Sequence, residues 1–205
     1  MPDSNPPATA ETTAPTRPKP GERRAQILQA LAAMLAQPGG ERITTAALAA
    51  RLQVSEAALY RHFASKAQMF EGLIDFIEQS VFALINQIQT QTDEIGPRQA
   101  GQIITMLIRF AEKNPGLARV MVGDALLLAH ERLQQRMNLF FDKVEAALKQ
   151  CLRADPGTPD NTAQPAQVRA AVLVAFVRGR LQRYARSDFK RLPSEQLEAC
   201  LALIL

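Results

Sequence analysis

The 205 residues, 47% of them hydrophobic, are enough for one or two compact cores, and no apolar run reaches the length of a membrane span. Cys151 and Cys200 stand at no metal spacing, and there are two histidines, no tryptophan and no glycine-rich phosphate loop, so neither catalysis nor a cofactor is expected. The net charge of +4 is uneven: residues 12–66 carry eight Lys/Arg against three Glu, whereas residues 67–205 carry sixteen against fifteen acids, which is the distribution of a polyanion binder.

The first twenty residues hold six of the thirteen prolines among Ala, Thr and Ser, with no large apolar residue after Met1. Such a segment buries too little to offset its ordering entropy, and a disordered tail is expected over 1–20. With no charged-then-apolar leader, and with both cysteines expected as buried free thiols, the expected compartment is the cytoplasm.

Everything after Pro20 is expected to be helical. Ile27, Leu28, Leu31, Met34 and Leu35 recur at helical spacing until Pro38-Gly39-Gly40 stops them. Two short helices follow over 44–52 and 55–63. Ser65 and Gln68 form a capping box for a long helix with an apolar stripe of Met69, Leu73, Phe76, Ile77, Leu84 and Ile88. After a turn over 93–96, Pro97 suits the first position of a helix carrying Ile103, Ile104, Leu107 and Phe110, which Asn114-Pro115-Gly116 breaks. Asp124 is expected to open the longest helix, with Leu133, Met137, Phe140, Val144, Leu148 and Cys151 on one face. A loop over 154–165 and helices over 166–187 and 194–205 close the chain.

The stretch from Thr44 to Phe63 carries the function. Two short helices that cross need small residues, and Ala46, Ala47, Ala49 and Ala50 supply them; Leu48, Leu52, Val54, Leu59 and Phe63 are the apolar anchors. Leu59 and Phe63 lie four apart and point inward, so Glu56, Ala57, Tyr60 and Arg61 face outward, toward the major groove. Thr44 and Ser55 are helix caps whose neighbouring amides can also meet phosphate, and Thr45 and Lys66 flank the same face. The predicted DNA-binding set is therefore Thr44, Thr45, Ser55, Glu56, Ala57, Tyr60, Arg61 and Lys66. His62 is expected to be structural.

One short recognition helix makes few base contacts, so a homodimer on a palindromic double-stranded site is expected, with one or more dimers per site. Ala171, Ala175 and Gly179 form a line of small residues flanked by Val168, Val172 and Phe176, and this is the candidate interface. Arg178, Arg180, Arg183 and Arg186 are expected as a solvated basic face.

The run Val54-Ser55-Glu56-Ala57-Ala58-Leu59-Tyr60-Arg61-His62-Phe63 with Ser65-Lys66 resembles the TetR-type DNA-binding family. Arg42-Ile43-Thr44-Thr45-Ala46, Asn114-Pro115-Gly116-Leu117 and Arg186-Ser187-Asp188-Phe189-Lys190 extend the likeness and favour its nucleoid-occlusion branch. The resemblance implies an all-α, TetR-like fold: a three-helix helix-turn-helix domain over 21–66 and a helical regulatory and dimerisation domain over 67–205. It also implies a nucleoid-associated protein that engages the division protein FtsZ when DNA-bound, through a surface including Phe76 and Asn114. Leu84, Arg109 and Lys113 stand where it would place a basic residue, a small residue and an arginine. Gln53 occupies a turn position where the family commonly has glycine. The alternative is a TetR-type repressor released by a small ligand.

Overall fold

The computed structural model describes residues 21–38, 43–91, 94–125, 131–153 and 165–205. The expectations for the 1–20 tail, Gly39-Gly40, the start of the 93–96 turn and most of the 154–165 loop lie outside them. Nine helices and no strand are found among the described residues: α1 (Glu22–Leu35), α2 (Thr45–Arg51), α3 (Glu56–Tyr60), α4 (Lys66–Gln91), α5 (Pro97–Lys113), α6 (Pro115–Met121), α7 (Glu131–Arg153), α8 (Ala166–Arg186) and α9 (Leu197–Ile204).

Local chemistry accounts for most of the boundaries. Ser65 Oγ accepts from the Gln68 amide (3.2 Å), and Gln68 Oε1 accepts from the Ala64 amide (2.8 Å), a reciprocal cap that starts α4. Asn114 closes α5 by donating from Nδ2 to the Phe110 carbonyl (2.7 Å), and Pro115 immediately begins α6. Two of the expected helices start later than their patterns suggested. Residues 122–125 form a turn because Gly123 adopts φ +81, so Asp124 does not open a helix. The last helix begins at Leu197, not Ser194, since Gln196 is left-handed at φ +52. The segment expected over 55–63 is helical only over its first half.

The stripe expected on α4 is also corrected. Its buried apolar side chains are those of Met69, Phe70, Leu73, Ile74, Ile77, Val81 and Ile85, whereas Phe76 is 51% exposed and Leu84 is exposed as well. At 100° per residue Phe76 falls at the rim of the buried arc, just beyond Met69 and 100° from Ile77. The stripe on α7 is buried as expected, from Leu133 to Cys151, and α7 and α8 lie side by side. Phe140 makes edge-on contacts with Phe82 and Phe141 (5.7 and 5.1 Å between centroids), and Arg136 ties α7 to α4 through Asp75 and Glu78 (2.5 and 2.7 Å).

The buried residues form one continuous cluster from Ile27 in α1 to Leu201 in α9. The joint between the three N-terminal helices and the rest is close. A Cβ on Gly116 would overlap the Ala32 carbonyl, so only glycine lets α6 lie against the last turns of α1. Beside it, Arg119 is 4% exposed and donates from Nη1 to the carbonyls of Leu35 (2.7 Å) and Gln37 (2.8 Å) and from Nη2 to Asp188 (3.3 Å). Its guanidinium also covers the Phe189 ring at 4.7 Å. Three segments distant in sequence meet on one side chain.

Candidate nucleic-acid interface

The two short helices are set by their caps. Thr44 Oγ1 accepts from the Ala47 amide (3.1 Å) and Ser55 Oγ from the Ala58 amide (3.2 Å), with both residues extended in backbone. Between them α2 ends in a Schellman arrangement: the Gln53 amide donates to Ala50 and the Val54 amide to Ala49 (3.1 and 3.0 Å). Gln53 is left-handed at φ +53, as its position in the turn implied, at a cost of about 1–2 kcal/mol for a residue with a Cβ.

Leu48, Leu59 and Phe63 are buried beneath the pair, with Leu52 and Val54 half-buried. Of the four alanines expected where the helices cross, only Ala49 is buried; Ala46, Ala47 and Ala50 are exposed. A seven-residue helix has one turn facing its partner, which one small residue serves.

Ser55, Glu56, Ala57, Tyr60 and Arg61 are all exposed on α3 and its ends, Tyr60 by 44%, and Thr44 is exposed at the start of α2. Thr45 does not stand free. Its Oγ1 donates to Glu56 Oε2 (2.7 Å), with the Tyr60 hydroxyl 3.5 Å behind it. Lys66 is half-buried: its ammonium donates to the Ile43 carbonyl and lies 5.9 Å from the Phe70 ring, and burial pushes its pKa below the ordinary lysine value. One of its three donors is thereby committed to bracing α4 against the approach to α2.

Arg24 is a functional neighbour that local patterns did not single out. Its Nη1 donates to the His62 carbonyl (2.9 Å) and its guanidinium stacks on Phe63 at 4.1 Å, locking α1 to the end of α3. The partner lies 38 residues away, so no short-range spacing signals it. His62 is exposed and serves through its backbone.

Two further surfaces matter. Phe76 and Asn114 come together in a groove of about 550 Å³ whose lining includes Ala32 of α1, Ala36 just beyond its end, Leu73 of α4 and Lys113 at the end of α5. Arg109 and Leu84 are exposed outside this lining. On α8, Val168, Ala171, Val172, Ala175 and Gly179 are exposed in one stripe with Phe176 half-buried, and Leu203 of α9 is 88% exposed. The basic face expected beside this stripe is only partly solvated. Arg180 donates to the carbonyls of Pro193 and Glu195 and lies 3.0 Å from Cys200 Sγ, while Arg178 covers the Phe141 ring. Both cysteines are free, Cys151 buried and Cys200 half-buried. Among the described residues no group of His, Cys, Asp or Glu is arranged to hold a metal, and no helix is long and apolar enough to cross a membrane.

A capped helix-turn-helix joined to a helical domain is the architecture of the TetR-type regulators. Residues 27–73 match the family described as bacterial regulatory proteins, tetR family, and residues 98–205 match a tetracyclin repressor-like C-terminal domain of the SlmA-like kind. A transcriptional regulator from Rhodococcus sp. superposes with a TM-score of 0.70 at 25% identity, covering 88% of this chain and 92% of its own. The chain is 48% identical over 178 residues to nucleoid occlusion factor SlmA of Idiomarina loihiensis, covering 86% of this chain and 90% of the relative. It is 46% identical over 191 residues to the Aliivibrio fischeri protein of the same name, covering 91% and 96%. The chain belongs to the SlmA family of nucleoid occlusion factors, within the TetR-type regulators.

Proposed function

We propose that this protein binds palindromic chromosomal sites as a homodimer and, when DNA-bound, engages FtsZ and blocks septum formation over the nucleoid. DNA contact falls to the face formed by Ser55, Glu56, Ala57, Tyr60 and Arg61, with Thr44, Thr45 and Lys66 at its edges. The stripe of Val168, Ala171, Val172, Ala175, Phe176 and Gly179 is the dimer interface in this reading, because an apolar, small-residue helix face left in water is offset by pairing with its symmetry mate. The protein then works in the cytoplasm, on the nucleoid.

The observation that carries the FtsZ assignment is the composition of the groove holding Phe76 and Asn114. One wall is α1, which also braces the DNA-reading helices through Arg24; the other walls are α4 and the α5–α6 junction. A partner seated there touches both parts of the protein. DNA that favours one setting of α1 against α6 therefore favours one shape of the groove, and linkage requires the partner to tighten DNA binding by the same factor.

Co-sedimentation of the purified protein with FtsZ polymers, with and without palindromic DNA, tests the assignment. More protein should pellet when DNA is present, and FtsZ should lower the Kd for labelled operator. Equal affinities would remove the coupling. No FtsZ binding in either condition would favour a repressor released by a small ligand.

A further inference from the structure

The DNA-facing surface of α3 contains an acid. Glu56 is exposed between Ser55 and Ala57, on the same face as Tyr60 and Arg61. Opposite a phosphate backbone a carboxylate is repelled, so its position weakens binding unless it meets a donor. The major groove offers only two: the N4 amino group of cytosine and the N6 amino group of adenine. Beside adenine N6 stands the N7 acceptor, which repels the second oxygen of a carboxylate. Beside cytosine N4 there is only a C–H. Guanine and thymine present acceptor oxygens at the corresponding positions and are repelled.

The carboxylate is also held in place before any DNA arrives. Thr45 Oγ1, on the first residue of α2, donates to Glu56 Oε2 at 2.7 Å. The Tyr60 hydroxyl stands 3.5 Å from that same Oγ1. Oε1 makes no hydrogen bond or ion pair with any described residue. A side chain whose rotamer is fixed by a neighbouring helix, with one acceptor left open toward the groove, has little ordering entropy left to lose on binding.

We propose that Glu56 reads sequence, accepting through Oε1 a hydrogen bond from the N4 amino group of one cytosine in each half-site, and that Thr45 is the positioning residue that aims it. The proposal rests on the DNA-binding reading of α3 given above.

The test is selection of binding sites from random double-stranded DNA by the full-length protein. It is followed by Kd measurements on the selected palindrome with each of the four bases placed symmetrically at each position. The wild-type protein should prefer cytosine at one position per half-site by roughly tenfold over the other bases, the discrimination of one good base contact. Glu56→Ala should bring the four bases within about twofold there and leave the profile at every other position unchanged. Glu56→Gln should move the preference to adenine, because an amide can both donate to N7 and accept from N6. Thr45→Val should keep cytosine first with a smaller ratio, and Thr45→Ser should behave as wild type. Glu56 also lies in the first turn of α3, where a negative charge steadies the helix, but losing that effect changes affinity for all sequences alike. An unchanged base profile in Glu56→Ala, whatever its overall affinity, overturns the proposal while leaving the DNA-binding reading intact. Failure of the wild-type protein to select any sequence overturns both.

Discussion

Arg119 in α6 donates to the carbonyl of Leu35, the last residue of α1, across 84 positions of sequence at 2.7 Å. It thereby completes the C-terminal end of a helix whose last carbonyls have no partner within the helix. A buried guanidinium in this position holds the N-terminal helices at a set angle to the rest of the molecule. Arg119→Met should cost about 1–3 kcal/mol, since the carbonyl of buried Leu35 loses its donor whereas that of exposed Gln37 can turn to water. Urea denaturation should show a lower midpoint with an unchanged slope.

Gly116 governs the same joint by shape. Gly116→Ala places a methyl group into the Ala32 backbone, which cannot step aside as a flexible side chain could. A loss of about 2 kcal/mol or more is expected, read as a fall in Tm. Gly116→Ala should also weaken operator binding, because α1 must shift and α1 carries Arg24 and the brace on His62.

Arg61→Ala should weaken DNA binding without loss of helicity by circular dichroism, as the side chain is exposed just beyond α3. If each protomer loses one phosphate contact, the slope of log affinity against log salt should flatten by roughly two for a dimer. An unaltered slope would place Arg61 off the backbone.

Gly179→Leu offers a clean test of the dimer face. Nothing lies within 4 Å of where its Cβ would be, so the substitution does not disturb the fold of a single chain. Sedimentation should show a monomer at concentrations where the parent is dimeric. A variant that stays fully dimeric would move the interface away from this stripe.

Gln53→Gly should stabilise the protein. Glycine relieves a left-handed strain of about 1–2 kcal/mol and gives back about 0.5–1 kcal/mol in unfolded-chain entropy, for a net gain of roughly 0.5–1 kcal/mol in thermal or urea denaturation. DNA affinity should be retained, since the Schellman hydrogen bonds are made by the backbone.

The helices, the caps at Thr44, Ser55 and Ser65 and the outward face of α3 were legible in the sequence because each is a short-range matter. Periodicity and capping chemistry act within one or two turns. Where one glycine or one left-handed residue overrides a helical pattern, as at Gly123 and Gln196, periodicity alone overran the boundary. The placement of Phe76 outside the buried face of α4 needed the packing of α4 against its neighbours. Arg24 and Arg119 were read only as positive charge. Their partners lie 38 and 84 residues away, and nothing local marks a cation destined to cap a distant carbonyl.

The unbroken cluster of buried side chains from Ile27 to Leu201 has a consequence for how this protein can be dismantled. Phe63 is wedged among residues of α1 and α4, and Met69, Phe70 and Leu73 of α4 stand in that same cluster with side chains of α5 to α8. A fragment ending near Lys66 would strip from Phe63 the cover that α4 provides around Gly72. The DNA-reading head is therefore expected to unfold together with the body, as one transition in thermal denaturation.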